Sequence, residues 1–255
     1  MLKNKALVKL FSKTISLSHI ISSILILDIK MNLVAKNLNK LQSAIRQNFP
    51  NQPKIIAVSK NISSDKIRQL YEFGQRDFGE NYVQEFNQKA CHLSDLEIVW
   101  HFIGKIQTNK TKYIAEKASW AHSLENEKQI IRLNSQRPQN LSPLNVLIAV
   151  NISEEKSKAG IKTFEEILQL AKTINLQPKL KLRGLMGIAS NTNDITIIKQ
   201  QFINLKVFFD RLKTIYPSLI DSLSMGMSND YNIALEVGAN IIRIGTLIFG
   251  DRNYV

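Results

Sequence analysis

Cysteine is nearly absent. Cys91 stands alone in 255 residues, which excludes an internal disulfide framework and suits a reducing cytosol. It has no ligand-like spacing to other residues and reads as a packing residue. Histidine is scarce too, and the four present lack the spacing of a metal site, so no metal is expected. There is no Walker loop and no Ser–His–Asp pattern. No apolar run reaches the roughly 20 residues needed to span a bilayer, so no membrane role is expected. Charge of one sign is the exception: the net charge is +13. Such an excess could serve an acidic partner, but the lysines scatter over helix faces and no nucleic-acid motif accompanies them. They read as a solvated basic surface, with no specific nucleic-acid binding expected.

What remains is an ordinary globular composition, 44% hydrophobic and 22% charged, enough for one domain with a real core. Residues 1–30 differ from the rest. Lys3, Lys5, Lys9 and Lys13 precede a short apolar stretch from Ile20 to Leu27. This extension reads either as a targeting-like segment for an organelle or as the result of a start placed upstream of Met31. From Met31 to about Asn48 apolar residues recur at helical spacing, giving an amphipathic helix. Short β-branched runs then fall at 54–59, 76–79, 98–103, 120–124, 144–152, 180–188, 220–225 and 241–244. Helix-period segments lie between them, near 64–73, 81–90, 107–117, 125–136, 163–174, 194–215 and 229–236. Such alternation predicts a parallel sheet, and the near-continuous apolar runs predict strands buried on both faces. An open doubly wound sheet would place a Gly-rich loop after the first strand. Ser59-Lys60-Asn61-Ile62 stands there instead. The expected fold is α/β, a single (β/α)8 TIM-type barrel over 31–255, with an extra N-terminal helix that caps the bottom or stands in for the eighth helix.

A barrel of this kind carries its ligand at the C-terminal ends of its strands. Lys60 follows the buried run Ile55-Ile56-Ala57-Val58 and should project into the mouth. A partly buried amine gives up its proton more readily and becomes a Schiff-base nucleophile; the plainer alternative is a lysine snorkelling to solvent. The seventh and eighth strands end in Ser224-Met225-Gly226-Met227-Ser228 and Arg243-Ile244-Gly245-Thr246. Hydroxyls, glycines and a guanidinium at these two positions suit a phosphate, although Ser capping and Gly turning also explain them. Among the weaker candidates, Asn81 touches a ligand or caps the next helix. His101 is a hydrogen-bonded core histidine or a catalytic one, and Arg183 is a salt-bridge residue.

Seven segments in unbroken order between Met31 and Tyr254 carry a resemblance. They are Ala57-Val58-Ser59-Lys60, Phe78-Gly79-Glu80-Asn81-Tyr82-Val83-Gln84-Glu85, Trp100-His101-Phe102-Ile103-Gly104, Gln107-Thr108-Asn109-Lys110, Leu182-Arg183-Gly184-Leu185-Met186, Ser224-Met225-Gly226-Met227-Ser228 and Arg243-Ile244-Gly245-Thr246. Together they resemble the pyridoxal-phosphate homeostasis protein family. The resemblance implies a barrel like the N-terminal domain of alanine racemase, with pyridoxal 5′-phosphate on Lys60. It further implies that Ser224 or Ser228, with Gly245 and Thr246, hold the phosphate, and that Arg243 lies at the pyridine nitrogen or the phosphate. An arginine at the ring nitrogen would leave it unprotonated and weaken the cofactor as an electron sink. The racemases complete their sites with a second domain bearing a tyrosine base. This chain ends at Val255, soon after the eighth strand, so such a domain is not expected. The implied role is a cytoplasmic, monomeric carrier that buffers the cofactor or delivers it to apo-enzymes, within vitamin B6 and amino-acid homeostasis and without turnover of its own. The alternative is a weak racemase using the barrel alone, with His101 or Lys60 moving the proton. Two features bear on the match. Ile62 stands where the family often has a second lysine, and Lys158 matches a basic position in the fifth loop.

Overall fold

The computed structural model describes residues 33–250 except 154 and 156–159. The extension of residues 1–30 and Lys158 lie outside the described residues. Strands and helices alternate from the start. Helix α1 (Leu33–Asn48) precedes β1 (Lys54–Val58), α2 (Ser64–Glu72), β2 (Asp77–Glu80), α3 (Val83–His92) and β3 (Val99–Phe102). A 3-10 turn leads into α4 (Thr111–Lys117), then β4 (Trp120–Leu124), α5 (Glu127–Gln136), β5 (Leu144–Val150) and α6 (Phe164–Asn175). The chain closes with β6 (Leu180–Gly187), α7 (Ile195–Ile215), β7 (Ser222–Ser224), α8 (Tyr231–Val237), β8 (Ile241–Ile244) and α9 (Thr246–Phe249).

All eight strands pair in parallel in chain order, and β8 returns to β1 with Lys54 opposite Ile241 and Ala57 opposite Ile244. This is the expected (β/α)8 barrel. Local chemistry starts the helices where the strands release the chain. Ser63, Asn126 and Asp194 accept amide hydrogens at the N-termini of α2, α5 and α7, and Thr163 with Glu166 forms a capping box on α6. Each such cap satisfies an amide that the first helical turn leaves without a partner.

Strand side chains alternate between two cores. The larger lies between barrel and helices and includes Phe78, Phe86, Phe102, Ile114, Phe202 and Ile244. The smaller lies inside the barrel: Ile56, Trp120, Leu147, Ala149, Met186 and Ile241. Helix α1 packs against α9, the one-turn helix that follows β8, with Asn37 Nδ2 donating to Ile248 O at 3.0 Å. Cys91 departs from the expectation: it is exposed. The buried stripe of α3 is Val83, Phe86 and Lys89, and position 91 falls off that stripe. There Lys117 Nζ lies 2.6 Å from its Sγ.

Candidate functional site

Lys60 sits one residue beyond Ser59 at the end of β1, in phase with Ile56, which lines the barrel interior. It is half-buried and has no ion pair among the described residues. The backbone on either side of it is clamped from outside the barrel. Lys89 Nζ of α3 donates to Ser59 O at 2.6 Å, to Glu80 Oε1 at 2.8 Å and to Glu85 Oε1 at 2.6 Å. Ser59 Oγ donates to Glu80 Oε1 at 2.6 Å, and the Asn61 amide donates to Glu85 Oε1 at 2.6 Å. Asn61 itself has φ of 59°, a left-handed turn that asparagine tolerates better than most residues. Burial pushes the Glu80 carboxyl above its ordinary range, against the pull of Lys89 and Ser59.

Asn81, at the end of β2, does not cap the next helix: α3 has no side-chain cap, and Asn81 Oδ1 is buried with no partner. The loop after β3 presses on its backbone. A Cβ on Gly104 would lie 1.9 Å from Asn81 O, so only glycine fits. Ile62, where the family often has a second lysine, is 8% exposed and part of the larger core.

Inside the barrel a continuous chain of polar side chains links five strands. Asp77 Oδ1 of β2 lies 2.8 Å from His101 Nε2 of β3. His101 Nδ1 lies 3.0 Å from His122 Nε2 of β4, and His122 Nδ1 lies 3.1 Å from Ser224 Oγ of β7. Arg243 of β8 donates to Ser224 Oγ at 2.7 Å and to Gly187 O at 2.9 Å. His101 also stacks on Trp120, with ring centroids 5.5 Å apart. Burial holds both imidazoles below the ordinary histidine value, His122 well below it, with His101 and Arg243 adding to the effect there. For Asp77 burial acts upward, but the hydrogen bonds from His101 and Lys54 outweigh it and its carboxyl lies low. Arg243 is buried without an ion pair among the described residues. Burial brings its guanidinium down to about 10, opposed only by Asp230, so it remains a cation at neutral pH.

The loops after β7 and β8 meet at the mouth. Leu247 N donates to Ser228 Oγ at 3.4 Å, and the Arg243 amide donates to Gly226 O at 3.0 Å. Gly226 has φ of +91°, and a Cβ there would lie 2.6 Å from that of Ala234. Ser228 is half-buried at the rim, Gly245 is buried and Thr246 exposed, whereas Ser224 lies deeper, committed to His122 and Arg243. Arg183 is a salt-bridge residue, 2.6 Å from Asp221. A cleft of about 210 Å³ opens on the β3–β6 side of the mouth, lined by Ile103, Lys105, Ser123, Glu125, Asn151 and Met186 among others. No metal-ligating cluster occurs among the described residues, and no described helix is long and apolar enough to cross a membrane.

Sequence reasoning missed Asp77, Lys89 and His122. His122 follows Trp120 by the strand period of two, the one signal that could have aimed it inward. Lys89 follows Glu85 by four, which reads as a surface helix pair, yet here it is buried.

Residues 29–253 match the alanine racemase N-terminal domain family. The chain belongs to this family. Among curated relatives, the pyridoxal phosphate homeostasis protein of Haemophilus influenzae is 44% identical over 230 residues, covering 87% of this chain and 97% of that one. The protein of the same name from Escherichia coli K12 is 41% identical over 233 residues, 88% and 99% of the two chains. Among solved structures, PipY of Synechococcus elongatus with pyridoxal phosphate bound has a TM-score of 0.75 at 32% identity, covering 85% of this chain and all of its own. Alanine racemase of E. faecalis shares the fold, with a TM-score of 0.66 at 15% identity over 86% of this chain and 58% of that one.

Proposed function

We propose that this chain binds pyridoxal 5′-phosphate as a Schiff base on Lys60 and buffers or delivers it within vitamin B6 and amino-acid homeostasis, without turnover of its own. The observation that carries the reading is a half-buried lysine without an ion pair at the barrel mouth, which a buried arginine without an ion pair shares. The solved structure of PipY with pyridoxal phosphate bound supports it. The residues present fit such a group. The orphaned Asn81 Oδ1 offers a buried acceptor at the mouth, and an unmatched cation favours an anionic or electron-rich ligand atom.

When bound, the cofactor would supply an aldehyde to the Lys60 amine. The chain's own part is positional. Lys89 and Glu85 hold the main chain beside Lys60, so the amine leaves a fixed turn. Ser228, Gly245 and Thr246 would hold the phosphate at the joined loops. Ser224 supports Arg243 from below, and Arg243 would meet the ring nitrogen or the phosphate. The chain would act as a monomer and pass its cargo to apo-enzymes that need it. A barrel-only racemase would have to rely on Lys60, because both ring nitrogens of His101 are engaged in the barrel interior. Solvent-deuterium exchange at the α-carbon of amino acids would reveal such an activity.

Purified protein should show Schiff-base absorbance, lost in Lys60→Ala. Borohydride reduction followed by intact mass should place one cofactor on the wild-type chain. A Lys60→Ala variant with an undiminished band and cofactor content would refute the assignment.

A further inference from the structure

The chain of polar groups through the barrel has its hydrogens fixed from one end. An ionised Asp77 has no proton to give, so His101 must carry its proton on Nε2 and donate to Asp77 Oδ1 at 2.8 Å. A neutral imidazole then offers a lone pair at Nδ1. His122 must therefore carry its proton on Nε2 and donate to His101 Nδ1 across 3.0 Å. His122 Nδ1 in turn accepts from the Ser224 hydroxyl at 3.1 Å. With its hydrogen spent there, Ser224 Oγ receives Arg243 Nη1 at 2.7 Å. Every donor points toward Asp77.

Two other arrangements satisfy the distances with Asp77 ionised. One makes His101 an imidazolium and reverses His122, the other makes His122 the imidazolium, and in each two donors face Ser224 Oγ. Either places a charge on a ring with no exposure, where desolvation opposes it.

The geometry points to Asp77, His101 and His122 as positioning residues that hold the Arg243 guanidinium at the mouth, with Asp77 its answering anion through a one-way hydrogen-bond chain. Ser224 belongs to this chain as the last link before Arg243. Asp77 sits where such an anchor can remain ionised. It is 18% exposed, is paired with Lys54 at 2.8 Å, and borders a cleft of about 510 Å³ at the opposite end of the barrel, lined also by Arg46, Gln75 and Arg76. A buried arginine free to turn would present its remaining N–H groups in several directions; one pinned at Nη1 and Nη2 presents them in one. The donor order stands on the protein alone. Only the purpose of the pinning rests on the proposed cofactor.

Nuclear magnetic resonance of the full chain without cofactor, labelled with ¹⁵N-histidine and ¹⁵N-arginine, tests it. Both buried rings should be neutral with the proton on Nε2, and the Arg243 Nη protons should be resolved by slow rotation. Asp77→Asn, close to solvent and mild for folding, should mix the tautomers of both rings. His122→Phe should free the Arg243 Nη protons to average, and should raise the Kd for pyridoxal phosphate about fivefold, as loss of one positioned hydrogen bond would. An imidazolium, an Nδ1 proton on His122, or Arg243 signals indifferent to both substitutions would overturn the chain. Unchanged cofactor affinity beside a freed Arg243 would overturn its link to the ligand. Wild-type protein that takes up no cofactor would refute the function proposed above, while the tautomers and Arg243 signals would still decide this inference.

Discussion

Strand β2 feeds two polar assemblies that differ in almost every physical respect. Its odd residues face the barrel interior, where Asp77 begins the histidine chain. Its even residues face the helices, where Glu80 joins Lys89. The inner assembly conducts no net charge through its middle: two neutral rings and a hydroxyl separate an anion near one face from a cation near the other. The outer assembly packs a lysine against two carboxylates directly, and leaves Glu80 Oε2 without a partner. Interior polar groups are tolerated when every donor meets an acceptor, whereas a buried ion pair must offset the desolvation of both charges. The two also hold different things. The outer one fixes main chain beside Lys60; the inner one fixes a side chain, Arg243. A ligand spanning Lys60 and Arg243 would thus be held at its two ends by devices that fail independently.

The largest effect should come from breaking the outer assembly at its cation. Lys89→Ala would leave Glu80, fully buried, without a counter-charge, and such a cut costs about 3–5 kcal/mol. Urea unfolding should show that loss, and the Glu80→Gln/Lys89→Ala double variant should regain part of it. A loss below about 1 kcal/mol would mean that water or rearrangement replaces the pair.

The inner assembly should announce itself through pH. Both histidines are held below their ordinary value, so the folded state stays neutral where the unfolded chain takes up protons, below about pH 6.5. The unfolded state then binds more protons, and stability must fall as pH drops through that window. Each ring contributes up to about 1.4 kcal/mol per pH unit until its folded pKa is reached. Asp77, also held low, adds a loss only at more acid pH, below about 4. Glu80 works in the opposite sense. Its raised carboxyl costs stability above its folded value and relieves that cost on protonation. Urea midpoints at about pH 7.5 and about pH 5.5 should therefore differ in wild type and differ less in His122→Phe. Equal slopes in the two proteins would show that His122 is not held neutral.

The contrast also explains what the sequence could disclose. The eight strands were legible because each is a short apolar run whose neighbours are helical, and Lys60 because it ends such a run. The segments Ser224–Ser228 and Arg243–Thr246 stood out by their place at the ends of the last two strands, whereas the bond that joins their loops, Leu247 N to Ser228 Oγ, is seen only in the fold. The histidine chain was not legible, since His122 and Ser224 lie 102 residues apart. Period two says that a side chain points inward, but strand tilt and stagger decide which inward side chains meet across the interior. Lys89 was hidden for a different reason. A lysine four residues after a glutamate looks like a solvated pair, and nothing local says that Glu80 waits beneath it. Ile62 shows the reverse. Its departure from the family lysine is visible in the sequence, while its burial in the core is visible only in the fold.

The smallest effect should come from Glu85→Gln, and its smallness is informative. Glu85 is the part-exposed member of the outer assembly, its side chain 21% exposed against none for Glu80. Glutamine keeps an oxygen to accept from the Asn61 amide and from Lys89 Nζ, so the main-chain clamp survives and only one charge is lost. Glu80 retains its cation, and water reaches the substituted group. About 0.5–1 kcal/mol is the expected cost in urea unfolding. The cofactor band on Lys60 should remain, because the turn that presents the amine still has its hydrogen bonds. A loss as large as that of Lys89→Ala would show that the charge of Glu85, and not its position as an acceptor, holds the turn at Lys60.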